Sequence, residues 1–367
     1  MDGRASPFAI PAGIETPALV VDLERLEANI ERLQRELDRR GVGLRPHAKT
    51  HKSVRIARLQ LEAGAHGITV GTLGEAEVFA TAGFRDVFLA YPLWAEGPKA
   101  SRLRDVHDAI SLSVGIDSEA GAERLAAAVA GARRPLSVLV ELDSGGHRTG
   151  VESAEAAAIL ARAASRLGLH VNGVFTHGGH SYAPGGAAPA AADEVATLEA
   201  GARALEAAGV EVRVISAGST PTMTDAAAGR VNEIRAGTYV LGDRQQWALG
   251  AIPAVGVAAH VVSTVVSEGS DHAIVDAGAK TLTKDRAEWL DGYGLLPDYP
   301  AAIVARLYDY HGAIVAPDGA PPPARGELVS IVPNHICPVV DLFDAFWLAR
   351  PDGTVERWPV DARGRNG

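Results

Sequence analysis

Arg45-Pro-His-Ala-Lys49-Thr-His-Lys-Ser53 lies between a short apolar run and an amphipathic helical pattern. The stretch is therefore predicted to be the end of a β-strand and the turn into a helix, a position that faces a ligand crevice in α/β folds. In an extended backbone His47, Lys49 and His51 share one face, because strand side chains alternate. A lysine with cationic neighbours and low-dielectric walls loses its proton readily and can form a Schiff base. A surface lysine between two ordinary histidines has the same pattern.

Around this stretch, apolar runs alternate with helical patterns from residue 17 to about residue 245. A strand at 18–22 and a helix at 23–40 come first. Eight strand-like runs then follow at 43–47, 67–70, 87–90, 110–114, 137–142, 171–176, 212–217 and 233–237. Helices fit the segments between them at 51–64, 74–82, 97–107, 118–131, 153–167, 190–208 and 223–229. Eight such units predict a TIM-type (β/α)8 barrel. A Rossmann fold would need a Gly-rich fingerprint after the first strand, where this chain has His-Ala-Lys-Thr-His.

The pattern becomes mostly β after about residue 250. Strand-like runs cover 255–266, 272–276, 327–332 and 339–348, and a Pro- and Gly-rich stretch at 297–323 reads as loop. We therefore predict two domains, a barrel over residues 1–247 and a C-terminal mostly β domain over residues 248–367.

Composition narrows the function classes. The 367 residues are 47% hydrophobic and 22% charged, as in globular proteins, and no apolar run approaches the roughly 20 residues that span a bilayer. The net charge of −10 and the lack of a basic stripe argue against a nucleic-acid partner. The first residues do not resemble a signal peptide, and the single cysteine, Cys337, cannot form an intramolecular disulfide. We expect a cytoplasmic protein with no membrane partner.

Two turns follow the seventh and eighth predicted barrel strands, at Ser219-Thr220 and at Gly237-Thr238. In a barrel the strand ends share one mouth, and such turns offer backbone N–H groups and hydroxyls that suit a phosphate. Ordinary turns have this composition too, so the evidence lies in both turns occupying the right barrel positions.

Other polar residues follow other strands and complete a cofactor pattern. Lys49 at one strand end, Arg148 at another and the phosphate-binding turns would together hold pyridoxal phosphate. Arg148 would then face the oxygen side of the ring. Tyr182 and Arg235 are candidates to meet the ring nitrogen.

The β-rich part contains Pro333-Asn-His335-Ile-Cys337-Pro338. On a strand, residues two apart point the same way, and histidine and cysteine both bind borderline-soft divalent metals, zinc above all. Two protein ligands would leave open positions for water or substrate. The alternative is a buried cysteine beside a hydrogen-bonded histidine.

Five motifs together resemble the D-threonine aldolase and D-serine dehydratase family, and the similarity runs from Thr16 to about Phe346. The motifs occur in the order Arg45-Pro-His-Ala-Lys49-Thr-His-Lys, Asp143-x-Gly-x-x-Arg148-x-Gly150, Ser216-Ala-Gly-Ser-Thr220, Glu233-Ile-Arg-Ala-Gly237-Thr-Tyr and Pro333-Asn-His335-x-Cys337. The barrel of this family is similar to that of alanine racemase, among the fold-type III pyridoxal-phosphate enzymes.

The resemblance implies a role for each matched residue. Lys49 would carry the cofactor as a Schiff base, His177 would lie under its ring, and a divalent metal (zinc or manganese) would bind beside it. The metal ligands would be His335 and Cys337, and the phosphate would be held by Ser219, Thr220, Gly237 and Thr238. The family also implies a homodimer with the active site at the interface.

The implied activity is that of a lyase on a D-β-hydroxy amino acid. In a dehydratase Lys49 would remove the α-proton and the β-hydroxyl would leave with help from the metal, giving a 2-oxo acid and ammonia. In an aldolase a base (His51, His177 or His180) would take the hydroxyl proton, and Cα–Cβ cleavage would give glycine and an aldehyde. Family aldolases tend to carry aspartate where this chain has Cys337, which favours dehydration of D-serine or D-threo-3-hydroxyaspartate.

Two other functions stay open. Racemases of this barrel type need no metal and use a tyrosine from the β domain as second base. The candidates for that tyrosine are Tyr293, Tyr299, Tyr308 and Tyr310. Non-catalytic pyridoxal-phosphate carriers resemble the barrel alone, so the β domain and the His-x-Cys pair count against a carrier.

Overall fold

The computed structural model of the protein describes residues 8–316, 320–350 and 352–367. The chain forms two compact units. One contains Leu33–Lys49, Ile56–Gly237 and Arg365–Gly367; the other contains Thr50–Arg55, Thr238–Gly364 and the N-terminal residues up to Arg32. Within the described parts of the chain, no helix is long and apolar enough to cross a membrane.

Regular structure starts with strand β1 (Ala18–Asp22) and helix α1 (Leu23–Arg40), both as predicted. The helix has Glu24 in its first turn and two arginines in its last, which complement the helix dipole. One face is buried at the helical spacing, through Leu26, Ile30, Leu33 and Leu37.

The first unit contains a closed parallel barrel, which confirms the predicted (β/α)8 fold. Its strands are β2 (Gly43–Leu44), β3 (Ile68–Val70), β4 (Asp86–Pro92), β5 (Ser111–Ile116), β6 (Ser137–Glu141), β7 (His170–Phe175), β8 (Val214–Ala217) and β9 (Glu233–Ile234). They pair in the order β2-β9-β8-β7-β6-β5-β4-β3, and a parallel bridge between His47 and Thr69 joins the first to the last. The carboxyl ends of all these strands therefore share one mouth.

Helices separate most of the barrel strands: α2 (Val54–Glu62), α3 (Leu73–Thr81), α4 (Pro98–Ala109), α5 (Glu119–Ala128), α6 (Ala154–Arg166) and α7 (Ala187–Ala207). Thr72, Ser118 and Ser153 cap α3, α5 and α6, since each side-chain oxygen accepts a hydrogen bond from a backbone amide of the first turn. The helix predicted at 223–229 is wrong, because only turns occur there. Directly before that segment, the Thr222 hydroxyl accepts a hydrogen bond from the Ser219 amide, which holds the chain in a loop.

The second unit is mostly β, which confirms the predicted C-terminal β domain. Its strands, besides β1, are β10 (Ala259–Glu268), β11 (His272–Val275), β12 (Gly294–Leu295), β13 (Ile303–Leu307), β14 (Gly312–Val315), β15 (Leu328–Pro333), β16 (Ala345–Ala349) and β17 (Val355–Pro359). Short helices are α8 (Arg244–Ala248), α9 (Ala279–Leu282) and α10 (Ile336–Val340). The pairings β10-β11-β14-β13-β12-β15-β10 close an antiparallel barrel, and β1, β16 and β17 extend from β10. A bulge between Val265 and Ser267 bends β10, so its two ends pair with different neighbours.

Three details of this unit differ from the sequence analysis. Strand β1 pairs with β10 and β16, so it belongs to this sheet and not to the parallel barrel. The predicted loop at 297–323 contains β13 and β14, whose alternation is short and surrounded by Pro and Gly; residues 317–319 of that loop lie outside the described residues. The predicted strand at 339–348 is the end of α10 followed by β16. The domain boundary at residue 247 stays a prediction.

Candidate active site

The Lys49 stretch is not extended, so the argument that His47, Lys49 and His51 alternate on one face is wrong. Strand β2 ends at Leu44, and Ala48–Thr50 form a 3-10 turn. Lys49 is exposed, and so is not enclosed by the low-dielectric walls that we expected. His51 is fully buried, with its Nδ1 accepting from the Ser53 amide at 3.1 Å.

A buried ion pair fixes the start of this stretch. Arg45 Nε donates to Glu233 Oε2 at 2.7 Å, which ties the end of β2 to β9, and its Nη1 donates to Asp86 Oδ1 at 2.8 Å. His66 Nε2 lies 2.9 Å from the same Glu233 oxygen, and Ser216 Oγ donates to Oε1 at 2.5 Å. Burial raises the pKa of Glu233, but the Arg45 charge and these hydrogen bonds outweigh burial and hold the pKa well below its usual range.

A cavity of about 230 Å³ lies where the loops after β6 and β7 meet. Arg148, His177 and Tyr182, three of the predicted cofactor-binding residues, all line it. The rings of His177 and Tyr182 are tilted, with centroids 6.1 Å apart. The structure thus brings together side chains that are up to 34 residues apart in the sequence (182 minus 148).

The Asp143-x-Gly-x-x-Arg148-x-Gly150 motif is a loop built on one carboxylate. Asp143 Oδ1 accepts from the amides of Gly145 and His147, at 2.9 and 3.0 Å. Gly150 has φ +105°, and a Cβ there would lie 2.7 Å from the Asp143 nitrogen. The glycine and the aspartate together hold the turn that presents Arg148 to the cavity.

The electrostatic surroundings of His177 favour its neutral form. Burial, together with the positive charges of Lys49, Arg148 and Arg235, lowers its pKa well below the usual range. The imidazole is therefore uncharged at neutral pH, and the same low pKa makes it a weak base.

Glu141, at the end of β6, lines the same cavity and was given no role by the sequence analysis. Its Oε1 accepts from Thr149 Oγ1 at 2.9 Å, while its buried Oε2 has no hydrogen-bond partner among the described residues. Burial raises the pKa of Glu141 to about 7, although Thr149 and Arg148 act in the opposite direction. Its position at a barrel strand end is the sequence signal that could have singled it out.

The turn after β8 is held by protein groups. Glu194 Oε1, on α7, accepts from the amides of Gly178 and Gly218 at 2.9 and 3.2 Å, and the Ser219 amide donates to Thr222 Oγ1 at 2.9 Å. The expectation that this turn offers unencumbered N–H groups is therefore wrong for Gly218 and Ser219. Sequence reasoning missed Glu194, although it interrupts the apolar stripe of α7.

Hydroxyl groups remain close together at this turn. Ser219 Oγ lies 3.0 Å from Ser181 Oγ and 3.1 Å from Thr222 Oγ1, so the loops after β7 and β8 meet there. The predicted phosphate ligands Thr220 and Gly237 are buried on the loops after β8 and β9.

Arg235 and His180 form hydrogen bonds with other protein groups. Arg235 is buried, donates to Ser216 Oγ at 2.6 Å and to the Thr176 carbonyl at 2.5 Å, and lies against the rings of Phe88 and Phe175. His180 Nε2 lies 3.2 Å from Asp193 Oδ2, and its buried Nδ1 has no partner within the described chain. Their predicted roles at the cofactor and the substrate stay predictions.

In the second unit, His335 and Cys337 are neighbours for a reason other than the predicted strand. His335 is the N-cap residue of α10, and Cys337 lies in the first turn of that helix. Pro338 is the signal for this, since proline is tolerated in the first helical turn. Buried Asp243 caps α8 and also accepts from the Ile336 amide at 3.1 Å, which holds the start of α10.

The side chains around this pair are polar. His335 Nδ1 lies 2.5 Å from Asp285 Oδ2. Burial lowers the pKa of His335, but Cys337, Asp285 and Asp243 outweigh burial and raise it to about 11. Cys337 Sγ lies 3.3 Å from Thr50 Oγ1 and 3.7 Å from the hydroxyl of Thr238, which was predicted to bind the phosphate.

Two family models match the chain. Residues 21–245 match the alanine racemase N-terminal domain, and residues 254–349 match the putative serine dehydratase domain. The D-threo-3-hydroxyaspartate dehydratase of Delftia sp. (strain HT23) is 37% identical over 371 residues, covering 94% of this chain and 97% of that protein. The chain belongs to the alanine-racemase-like family of fold-type III pyridoxal-phosphate enzymes.

Other members of this family are similar over nearly the whole chain. The D-threonine aldolase of Arthrobacter sp. is 32% identical over 372 residues, covering 98% of this chain and 96% of that protein. The solved D-threonine aldolase from Filomicrobium marinum superposes with a TM-score of 0.88 at 31% identity, covering 98% of this chain and 99% of that chain.

Solved structures of a D-threo-3-hydroxyaspartate dehydratase include a histidine-to-alanine and a cysteine-to-alanine mutant, at positions two apart in that chain. The cysteine mutant is in the metal-free form. Both superpose on this protein with a TM-score of 0.87, at 34% and 36% identity, and cover 95% of this chain and 95% and 97% of theirs.

The family and the fold imply pyridoxal phosphate, and the residues of the barrel mouth fit it. The cavity is lined by charged and aromatic side chains, and buried polar atoms of Glu141 and His180 have no partner within the described residues. A polar, planar ligand satisfies such a site better than closed apolar packing does.

The His335 and Cys337 donors fit a divalent metal with open coordination positions. Imidazole nitrogen and thiolate sulfur suit zinc and similar ions. Across residues 8–316, 320–350 and 352–367, no cluster of three or more His, Cys, Asp or Glu side chains could hold a metal ion. A metal on this pair would therefore depend on water or substrate for its remaining ligands.

Proposed function

We propose that the protein is a pyridoxal-phosphate- and divalent-metal-dependent lyase that acts on D-β-hydroxy amino acids. The favoured reaction is dehydration of D-serine or D-threo-3-hydroxyaspartate to a 2-oxo acid and ammonia. The observation that carries the proposal is the adjacent pair of His335 and Cys337 at the start of α10. The metal-free cysteine mutant of the related dehydratase supports it.

In this proposal each barrel residue has a separate role. Bound pyridoxal phosphate supplies an electron sink that acidifies the proton on the substrate α-carbon. Lys49, exposed on its 3-10 turn, holds the cofactor and then takes that α-proton. Arg148 and His177 line the cavity. Arg148 would donate hydrogen bonds to the oxygen side of the cofactor ring, and His177, neutral because its pKa is low, would lie beneath it.

The polar turns complete the site. The phosphate would be bound by the Gly237 turn and by the hydroxyls of Ser219, Thr220 and Thr238. Arg235 or Tyr182 would meet the ring nitrogen. His335 and Cys337 would hold the divalent cation, zinc or manganese, which would supply Lewis-acid chemistry for the β-hydroxyl. In this proposal Lys49 is the base of the dehydration.

Product analysis tests the proposal. The purified protein is incubated with pyridoxal phosphate, zinc or manganese, and D-serine, D-threonine or D-threo-3-hydroxyaspartate in turn. We expect ammonia and a 2-oxo acid, lost on addition of a chelator and restored by metal. Matched L-amino acids serve as controls. Activity that is unaffected by thorough metal removal would contradict the metal-dependent lyase.

Aldol cleavage is the second candidate, because the Arthrobacter and Filomicrobium relatives are D-threonine aldolases. In that reaction His51, His177 or His180 would take the β-hydroxyl proton. Among the three, His177 is the one that lines the barrel cavity. Glycine and an aldehyde in the product analysis would establish the aldolase and show that Cys337 does not choose the bond that breaks.

We also propose a homodimer with the active site at the interface. Sedimentation or light scattering of the cofactor-loaded protein measures its mass directly. A monomer that retains full specific activity at low concentration would contradict an active site completed by a second subunit.

A further inference from the structure

Asp285 makes a short contact with the proposed metal ligand His335. Its Oδ2 lies 2.5 Å from His335 Nδ1, in the turn that follows α9. With Nδ1 hydrogen-bonded to the carboxylate, Nε2 is the imidazole nitrogen that a cation would bind in place of a proton. Histidine ligands of metals regularly have such a carboxylate on the other ring nitrogen, which fixes the tautomer and the ring orientation.

The backbone before Asp285 is strained in a way that places this carboxylate. Thr283 has φ 61° and ψ 166°, a region that β-branched residues rarely occupy. Its Oγ1 accepts a hydrogen bond from the Asp285 amide at 3.1 Å. Such strain persists where the surrounding structure requires it, and here it occurs two residues before the carboxylate that contacts His335.

We propose that Asp285 is the positioning residue of the metal centre. Its carboxylate holds the His335 ring so that Nε2 faces the cation, with Thr283 fixing the turn that presents it. The inference rests on the metal site of the proposed function and adds the group that sets its affinity. Loss of a carboxylate in this position typically weakens metal binding by about 10–100-fold.

The chain offers a matched control. Asp271 Oδ1 lies 2.8 Å from His272 Nδ1, so this is a second Asp–His pair in the same unit, but His272 has no proposed ligand role. Substituting Asp271 thus removes an equivalent contact away from the His335–Cys337 pair. The conservative change Asp285→Asn keeps an oxygen that can accept from Nδ1.

The experiment measures the zinc dissociation constant of the full-length, cofactor-loaded protein by competition with a chromogenic chelator. Asp285→Ala should weaken zinc binding about 10–100-fold, Asp285→Asn should recover part of the loss, and Asp271→Ala should match the parent. Cobalt-loaded Asp285→Ala should keep a thiolate-to-metal absorption band, because Cys337 still binds. Thermal unfolding of the metal-free variants checks that each is folded.

Two outcomes separate the inference from the function it rests on. If His335→Ala and Cys337→Ala lose zinc affinity while Asp285→Ala keeps that of the parent, the positioning role is wrong and the metal site stands. If His335→Ala and Cys337→Ala bind zinc as the parent does, the proposed metal centre itself is wrong.

Discussion

The barrel mouth and the His335–Cys337 pair are built in different ways. Residues from Lys49 to Gly237 reach the barrel mouth only because parallel strands end at one edge. The pair comes from three consecutive residues at a helix start, supported by one turn around Asp285. A site assembled by topology depends on the whole barrel, whereas a site assembled locally depends on a few contacts.

The two regions also differ in how they hold charge. In the barrel, Arg45, Glu233 and Arg235 are buried and satisfied by one another and by hydroxyl or carbonyl groups. Around the His335–Cys337 pair, by contrast, the side chains of His335 and Asp285 are 37% and 53% exposed. Removing the partner of a buried charge lowers the free energy of unfolding strongly, whereas removing the partner of an exposed charge changes it little. Substitutions of the buried barrel charges should therefore affect folding, and substitutions around the His335–Cys337 pair should affect ligand binding.

The largest effect is expected at Lys49. Lys49→Ala should abolish the absorption of the cofactor Schiff base near the edge of the visible range, together with activity, because no other group makes that bond. Lys49→Arg keeps the charge and should lose the band as well, while exposed Lys99→Ala should keep it. Zinc affinity should change little if the two regions are independent. An unchanged spectrum in Lys49→Ala would refute the Schiff-base assignment.

A stability difference is expected next, at Arg45. Arg45→Met leaves Glu233 buried without its cation, and such a loss typically costs about 3–5 kcal/mol of unfolding free energy. The double variant Arg45→Met/Glu233→Gln removes the stranded charge and should recover much of this cost. Asp285→Ala breaks a half-exposed pair and should cost about 0–1 kcal/mol. Denaturant titration measures all three; equal costs at Arg45 and Asp285 would remove the contrast between the regions.

The sequence predicted the parts that follow from repetition. Eight apolar runs with helices between them predicted the barrel. Because Arg148, His177 and Tyr182 follow predicted strand ends, they were expected at one mouth, and they do line one cavity. These predictions succeed because the closed sheet, and not local detail, determines which loops meet.

The sequence could not predict contacts that depend on local backbone or on distant partners. Asp285 lies 50 residues before His335 in an irregular turn, and no spacing rule connects them. The His-x-Cys pair was interpreted as part of a strand, although a helix start also brings its side chains together. Strand alternation at Lys49 failed because the chain leaves β2 after two residues and turns.

A pH-dependent effect on stability is expected at Glu141. Its pKa is about 7 in the folded protein and near 4.5 when unfolded, because burial disfavours the carboxylate. Below pH 4.5 both states bind the proton, so Glu141 does not affect stability there. As pH rises towards 7 only the unfolded state ionises, and the folded protein loses up to about 3 kcal/mol of stability. Glu141→Gln carries no such charge and should lack this loss.

Urea unfolding at pH 4.5 and pH 8 of the cofactor-free parent and Glu141→Gln measures the difference. At pH 8 the Glu141→Gln variant should be more stable to urea than the parent. Its neutral amide replaces a carboxylate whose Oε2 has no partner within the described chain. Thr149→Val removes the hydrogen bond that lowers the pKa of Glu141 against the effect of burial. The pKa should then rise further, and the loss of stability should continue to higher pH. If parent and Glu141→Gln lose stability in parallel, Glu141 is ionised in the folded barrel. The barrel mouth would then hold an unpaired charge, contrary to the satisfied charges found deeper in the same barrel.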